Sequence, residues 1–238
     1  MRTSLLFILP VLLVGCSETA EDAVLERSEV AGEREAAADR TIPVVGPERT
    51  ILAFGNSLFA GYNVARNEAY PSQLEQALRA RGINAQVINA GVSGDTTAAG
   101  RARLSFTLDA QDELPDLAIV ELGGNDLLRG LDPDETRANL DAIMAELDRR
   151  GVPILLMGMR APSNLGADYV AEFDAIYADL ADKYDAELVP FWLESIADKP
   201  QLIQPDRIHP TAEGIDALVG ATVDDVVKAL PSAQQTGG

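Results

Sequence analysis

The chain has 238 residues, 47% of them hydrophobic, which is enough for one sizeable core and small for two. Nineteen Lys and Arg against 38 Asp and Glu give a formal net charge of -19, which repels nucleic-acid phosphates and offers no Coulomb attraction to anionic lipid, so a nucleic-acid partner is not expected. One cysteine and one histidine exclude an intramolecular disulfide and suggest no metal site, and no cofactor is expected.

The first stretch, MRTSLLFILPVLLVGC, carries one arginine, then an apolar run too short for a mature membrane span, then small residues. This is the layout of a secretory leader over residues 1–15. Leu13-Val14-Gly15-Cys16 resembles a bacterial lipoprotein box, in which the cysteine is lipidated and becomes the first residue; an ordinary leader that contains a cysteine is the alternative. Two or three acyl chains on Cys16 would hold the protein to a membrane surface. Ser17 rather than aspartate after it favours the outer membrane, so an exported protein on its periplasmic face is expected. Residues 16–48, rich in Glu, Ala and Arg, cannot bury enough apolar surface to offset their ordering entropy and read as an acidic flexible tether.

From residue 49 to 231 strand-like and helix-like segments alternate. RTILAF is a strand, YPSQLEQALRARG an amphipathic helix stopping at Gly82, and NAQVINA a second strand. TTAAGRARLSFTL reads as helix, and DLAIVEL as a strand apolar enough to be buried on both faces. In DPDETRANLDAIMAELDRRG, Asp132 is a candidate N-cap, Pro133 takes the first position, and Leu140, Ile143, Met144 and Leu147 share a face. VPILLMGM and AELVPF are the last strands, separated by the helix ADYVAEFDAIYADLADKYD and followed by TAEGIDALVGATVDDVVKAL; residues 232–238 read as a tail. Such alternation implies an α/β fold, a parallel sheet covered on both faces, with ligands at the carboxyl ends of its strands.

Polar turns fall at that rim. GNS follows the first strand, GVSGD (91–95) the second and GGND (123–126) the third, although each taken alone is also simply a good turn sequence. Ser57 in the first turn is either a nucleophile or a turn residue. A serine nucleophile needs a base near neutral pH, and His209 is the one imidazole the chain contains. Asp206, three residues earlier in PDRIHPT, can reach its other nitrogen across a tight turn, whereas a solitary histidine satisfied on a surface turn is the plain alternative.

The ordered set GNSL, SGDT, ELGGND and DRIHP resembles the SGNH (GDSL-type) hydrolases, and ELGGNDLLRG is similar to the wording of their bacterial thioesterase I, protease I and lysophospholipase group. The resemblance spans about residues 50 to 230. It implies a three-layer α/β/α flavodoxin-like fold with a five-stranded parallel sheet. It further implies Ser57 as nucleophile, Asp206 and His209 completing the triad, and Gly94 and Asn125 as oxyanion donors beside the Ser57 amide. The expected chemistry is hydrolysis of small-molecule carboxylic esters, aryl esters, lysophospholipids or thioesters through an acyl-enzyme. A carbohydrate deacetylase and a non-catalytic envelope lipoprotein are the alternatives. Asn56 stands where the family usually has aspartate, and the triad acid is carried by Asp206 instead. Phe59 occupies the second glycine of a GxSxG elbow, which argues against an ordinary α/β-hydrolase. Leu128, Met157, Met159 and Leu165 follow the third and fourth strands and are candidates either for an acyl-chain surface or for plain core.

Overall fold

The computed structural model describes residues 42–232, so Cys16, the leader, most of the tether and the tail lie outside the described residues. Five strands form the sheet: β1 (Arg49–Gly55), β2 (Ala85–Gly91), β3 (Leu117–Glu121), β4 (Ile154–Met157) and β5 (Glu187–Val189). All neighbours are parallel and the order is β2-β1-β3-β4-β5, the flavodoxin-like arrangement expected. Ile51, Leu52, Ala53 and Phe54 of β1 and all five residues of β3 are buried, because helices cover both faces of a central parallel strand.

The helices are α1 (Ser57–Ala60), α2 (Tyr70–Ala80), α3 (Thr97–Asp109), α4 (Gly124–Leu128), α5 (Pro133–Arg149), α6 (Ala167–Tyr184) and α7 (Ala212–Ala229). Helices α2 and α7 pack together on one face, while α5 packs against both α3 and α6 on the other, giving three layers. Helix α5 begins as its sequence requires: Asp132 accepts from the Asp134 amide, Pro133 needs no amide partner, and Leu140, Ile143, Met144 and Leu147 are buried. Two of the polar turns, GNS and GGND, run into the short helices α1 and α4. Five residues or fewer are too few to display a 3.6-residue period. Ahead of β1, the Ile42 carbonyl accepts from Arg79 Nε (2.7 Å) and the Gly46 carbonyl from Asn84 Nδ2 (3.0 Å), so residues 42–48 run along the domain.

The strand order turns back at β1, whose neighbours β2 and β3 lie on opposite sides. The connections leaving β1, β2 and β3 therefore meet above its carboxyl end, the natural place for a cleft in this topology.

Candidate active site

Strand β1 delivers Gly55, Asn56 and Ser57 to this rim. Asn56 caps α1, its Oδ1 accepting from the Leu58 amide at 3.0 Å, and Ser57 takes the first helical position. The Ser57 side chain is buried at the rim and its Oγ lies 2.8 Å from His209 Nε2, a contact spanning 152 residues of sequence. His209 Nδ1 lies 2.8 Å from Asp206 Oδ2. A carboxylate only accepts, so Nδ1 carries the ring proton and Nε2 presents its lone pair to the serine hydroxyl.

The turn that carries His209 is built from its own backbone. Asp206 Oδ1 accepts from the Ile208 amide (2.9 Å) and the His209 amide (3.1 Å), and Arg207 takes a positive φ of 63° to close it. Gln204 N–H donates to the His209 carbonyl (2.8 Å), and Thr211 N–H to the Leu202 carbonyl (2.8 Å), anchoring the loop at the start of α7. Desolvation pushes the Asp206 carboxyl upward, but the bonds from the Ile208 amide, the His209 ring and the His209 amide outweigh it and hold it down to about 2. Asp206 is therefore ionised wherever His209 has to act as a base. Tyr62 lies on the imidazole, ring centroids 4.2 Å apart, and its carbonyl accepts from Gln204 Nε2 at 2.9 Å.

The second and third turns supply N–H donors. Gly94 has φ +87°, a conformation L side chains rarely adopt, and its amide finds no acceptor among the described residues. Its carbonyl is held by Arg129 Nη2 at 2.8 Å. Asn125 gives one Nδ2 hydrogen to the Asp95 carbonyl (2.9 Å), which orients its amide and leaves the second hydrogen to a ligand. Asp126 is buried and accepts from the Thr97 amide (2.9 Å) and hydroxyl (2.5 Å), tying the start of α3 to α4. Arg103 joins Asp95 (2.6 Å) to the Gly55 carbonyl (2.9 Å), fastening loop two to the end of β1, while the Asn125, Asp126 and Arg129 bonds fasten loops two and three to each other. Ser57 opens α1, where an amide has no intrahelical acceptor, so it completes a set of three N–H donors.

The structure thus brings together Ser57, His209 and Asp206, with Gly94 and Asn125 on the neighbouring loops. Asp126, Arg103, Arg129 and Tyr62 also shape the site and were not singled out from sequence. Glu121 is a further one: wholly buried at the end of β3, it accepts from Asn56 Nδ2 (2.9 Å) and the Asn56 amide (3.3 Å). Its one signal in the sequence is a charge closing the apolar run DLAIVEL. Desolvation pushes its carboxyl up to about 8 against the opposing pull of the two Asn56 bonds. Of the four apolar residues considered for an acyl chain, Met157 and Met159 are buried core, whereas Leu128 (60% exposed) and Leu165 (39%) face solvent beyond β3 and β4. Among the described residues no group of His, Cys, Asp and Glu is arranged to hold a metal ion.

Residues 53–217 match the model of the GDSL-like lipase/acylhydrolase family. An arylesterase of Vibrio mimicus is 37% identical over 180 residues, covering 76% of this chain and 89% of that protein. The thioesterase 1/protease 1/lysophospholipase L1 of Escherichia coli K12 is 40% identical over 164 residues, 69% of this chain and 76% of that protein. Among solved structures, AlinE4, an SGNH-hydrolase family esterase, is 65% identical, covers 79% of this chain and all of its own, and superposes with a TM-score of 0.67.

Proposed function

The chain belongs to the GDSL-like lipase/acylhydrolase family, and we propose that it is a serine esterase that cleaves carboxylic esters of short to medium acyl chains through an acyl-enzyme on Ser57. The observation that carries this reading is the unbroken relay from Ser57 Oγ through His209 to Asp206, with both contacts at 2.8 Å. His209 Nε2 takes the hydroxyl proton as Oγ attacks the acyl carbonyl, and ionised Asp206 stabilises the imidazolium that forms. The carbonyl oxygen, now negative, gathers the amides of Ser57 and Gly94 and the free Nδ2 hydrogen of Asn125. Collapse of the tetrahedral species returns the proton from Nε2 to the departing alkoxide. Water, deprotonated by the same nitrogen, then releases the acid and restores the serine.

Aryl esters, thioesters and lysophospholipids form the substrate range suggested by the names of the relatives, and exposed Leu128 and Leu165 are available to an acyl chain. Turnover on nitrophenyl esters from acetate to palmitate tests the reading. A maximum at short or medium chains, abolished by Ser57→Ala, is expected; comparable rates in the serine variant would refute it.

The leader layout and the residue pair Cys16-Ser17 support a lipid anchor on Cys16 that holds the enzyme at the periplasmic face of the outer membrane. Full-length protein is expected in the outer-membrane fraction and Cys16→Ala in the soluble extract. Full-length protein found soluble would rule the anchor out.

A further inference from the structure

The mechanism makes no use of Glu121, yet this carboxyl is wholly buried and has no cationic partner among the described residues. Burying a carboxyl without a counter-charge is costly, and an apolar residue would fill the end of β3 at lower cost. Both of its hydrogen bonds go to one residue, Asn56, which immediately precedes the nucleophile. The backbone is also shaped around it: a Cβ on Gly55 would lie 2.9 Å from Glu121 Oε2 and 2.8 Å from the Glu121 carbonyl oxygen.

A primary amide has a donor end and an acceptor end, and its two faces are nearly identical in shape. At Asn56 the surroundings decide which end goes where. Glu121 Oε1 accepts whether the carboxyl is ionised or carries its proton on Oε2, so Nδ2 turns toward it at 2.9 Å. Oδ1 is thereby turned to the other side, where it accepts from the Leu58 amide at 3.0 Å and lies 3.4 Å from Ser57 Oγ. The Leu58 contact is the N-cap that starts α1, the helix in which Ser57 is the first residue.

Resting on the reading of Ser57 as nucleophile, we propose that Glu121 is a positioning residue: its buried carboxyl fixes the sense of the Asn56 amide and so sets the helix start and rotamer that bring Ser57 Oγ to His209. A side chain with an acceptor on only one of its two terminal atoms cannot serve both Asn56 donors. A carboxyl at position 56 facing an amide at 121 restores every donor–acceptor match, because the introduced aspartate accepts from Leu58 and from the introduced glutamine, whose oxygen accepts from the backbone amide of residue 56.

The test compares wild type, Glu121→Gln and the combined Asn56→Asp/Glu121→Gln variant on a short nitrophenyl ester, with thermal melting to establish folding. Glu121→Gln is expected to lower kcat roughly 10- to 100-fold, with KM within about threefold, as a misaimed nucleophile does. The exchanged pair is expected to return to within about threefold of wild type, a rescue that general loosening of the core would not give. Wild-type kcat in Glu121→Gln, or an exchanged pair no faster than that variant, overturns the proposal, as does an exchanged pair that fails to fold. Should Glu121→Gln alone not fold, the exchanged pair decides, and a kcat more than about tenfold below wild type counts against the assignment. Loss of turnover in Ser57→Ala is independent of these outcomes, so the nucleophile and the positioning role fail separately.

Discussion

Glu121 ends β3 and Asn125 lies four residues on, in α4, and the two have opposite environments. Asn125 spends one amide hydrogen on the Asp95 carbonyl, and the other has no partner among the described residues. In the proposed mechanism, replacing it with alanine removes one oxyanion donor while leaving the Ser57–His209 contact intact, so kcat should fall on the order of 10² to 10³ with KM little changed. Steady-state kinetics on a nitrophenyl ester reads this directly. Glu121 instead faces only the interior, and burial raises its carboxyl to about 8 from an ordinary 4.5. Between those values the folded chain holds a proton that the unfolded chain has released. Its contribution to stability is therefore fully present below about 4.5 and is lost as the pH rises toward 8. The slope approaches about 1.4 kcal/mol per pH unit in mid-window. Denaturant titrations at pH 5 and 8 should show this loss in wild type and a smaller one in Glu121→Gln; equal losses would mean that Glu121 is not the group responsible. Asp206 has the opposite sign: its depressed carboxyl contributes above about 4 and loses that contribution as the pH falls toward 2.

At the scale of elements, the site is three strand-to-helix connections fastened to one another. Asp126 at the start of α4 receives the amide and hydroxyl of Thr97 at the start of α3, so the segment bearing Gly94 and the segment bearing Asn125 share one buried clasp. Asp126→Asn turns an NH2 toward one of these donors and leaves a buried group without a partner. A stability loss of about 1 to 3 kcal/mol is expected. A kcat loss of about tenfold should accompany it, because the two loops that carry the proposed oxyanion donors Gly94 and Asn125 drift together. Denaturation and kinetics on the same preparation check both, and an unchanged kcat would show that the clasp is purely structural. This level also shows what the sequence made legible. Helix α5 displays its cap, its first-turn proline and its buried face in plain order, and β1 and β3 are unbroken apolar runs. Helices α1 and α4 have no such record, since their four and five residues complete barely one turn. The strand AELVPF keeps only Glu187–Val189 in the sheet, because the chain turns at Pro190 and Phe191. The Ser57–His209–Asp206 contacts were legible because Asp206 and His209 sit three residues apart and Ser57 lies in the polar turn that follows a strand. Tyr62 on the His209 ring and Glu121 beneath Asn56 were not, because each contact joins segments that share no local pattern.

For the molecule as a whole, the parallel order β2-β1-β3-β4-β5 explains why residues 57, 94, 125 and 209 meet at all. Each follows a different strand, and every strand ends on the same side of the sheet. The chain thus places its one imidazole 2.8 Å from the Ser57 hydroxyl at this rim. In the proposed mechanism this imidazole activates Ser57. The most direct measurement is the rate and site of labelling by a fluorophosphonate, read by peptide mass spectrometry in wild type and in His209→Ala. A single adduct on Ser57 is expected, forming at least about a thousandfold more slowly when the imidazole is gone. An adduct on another residue, or Ser57 labelling at the same rate in both proteins, would contradict it.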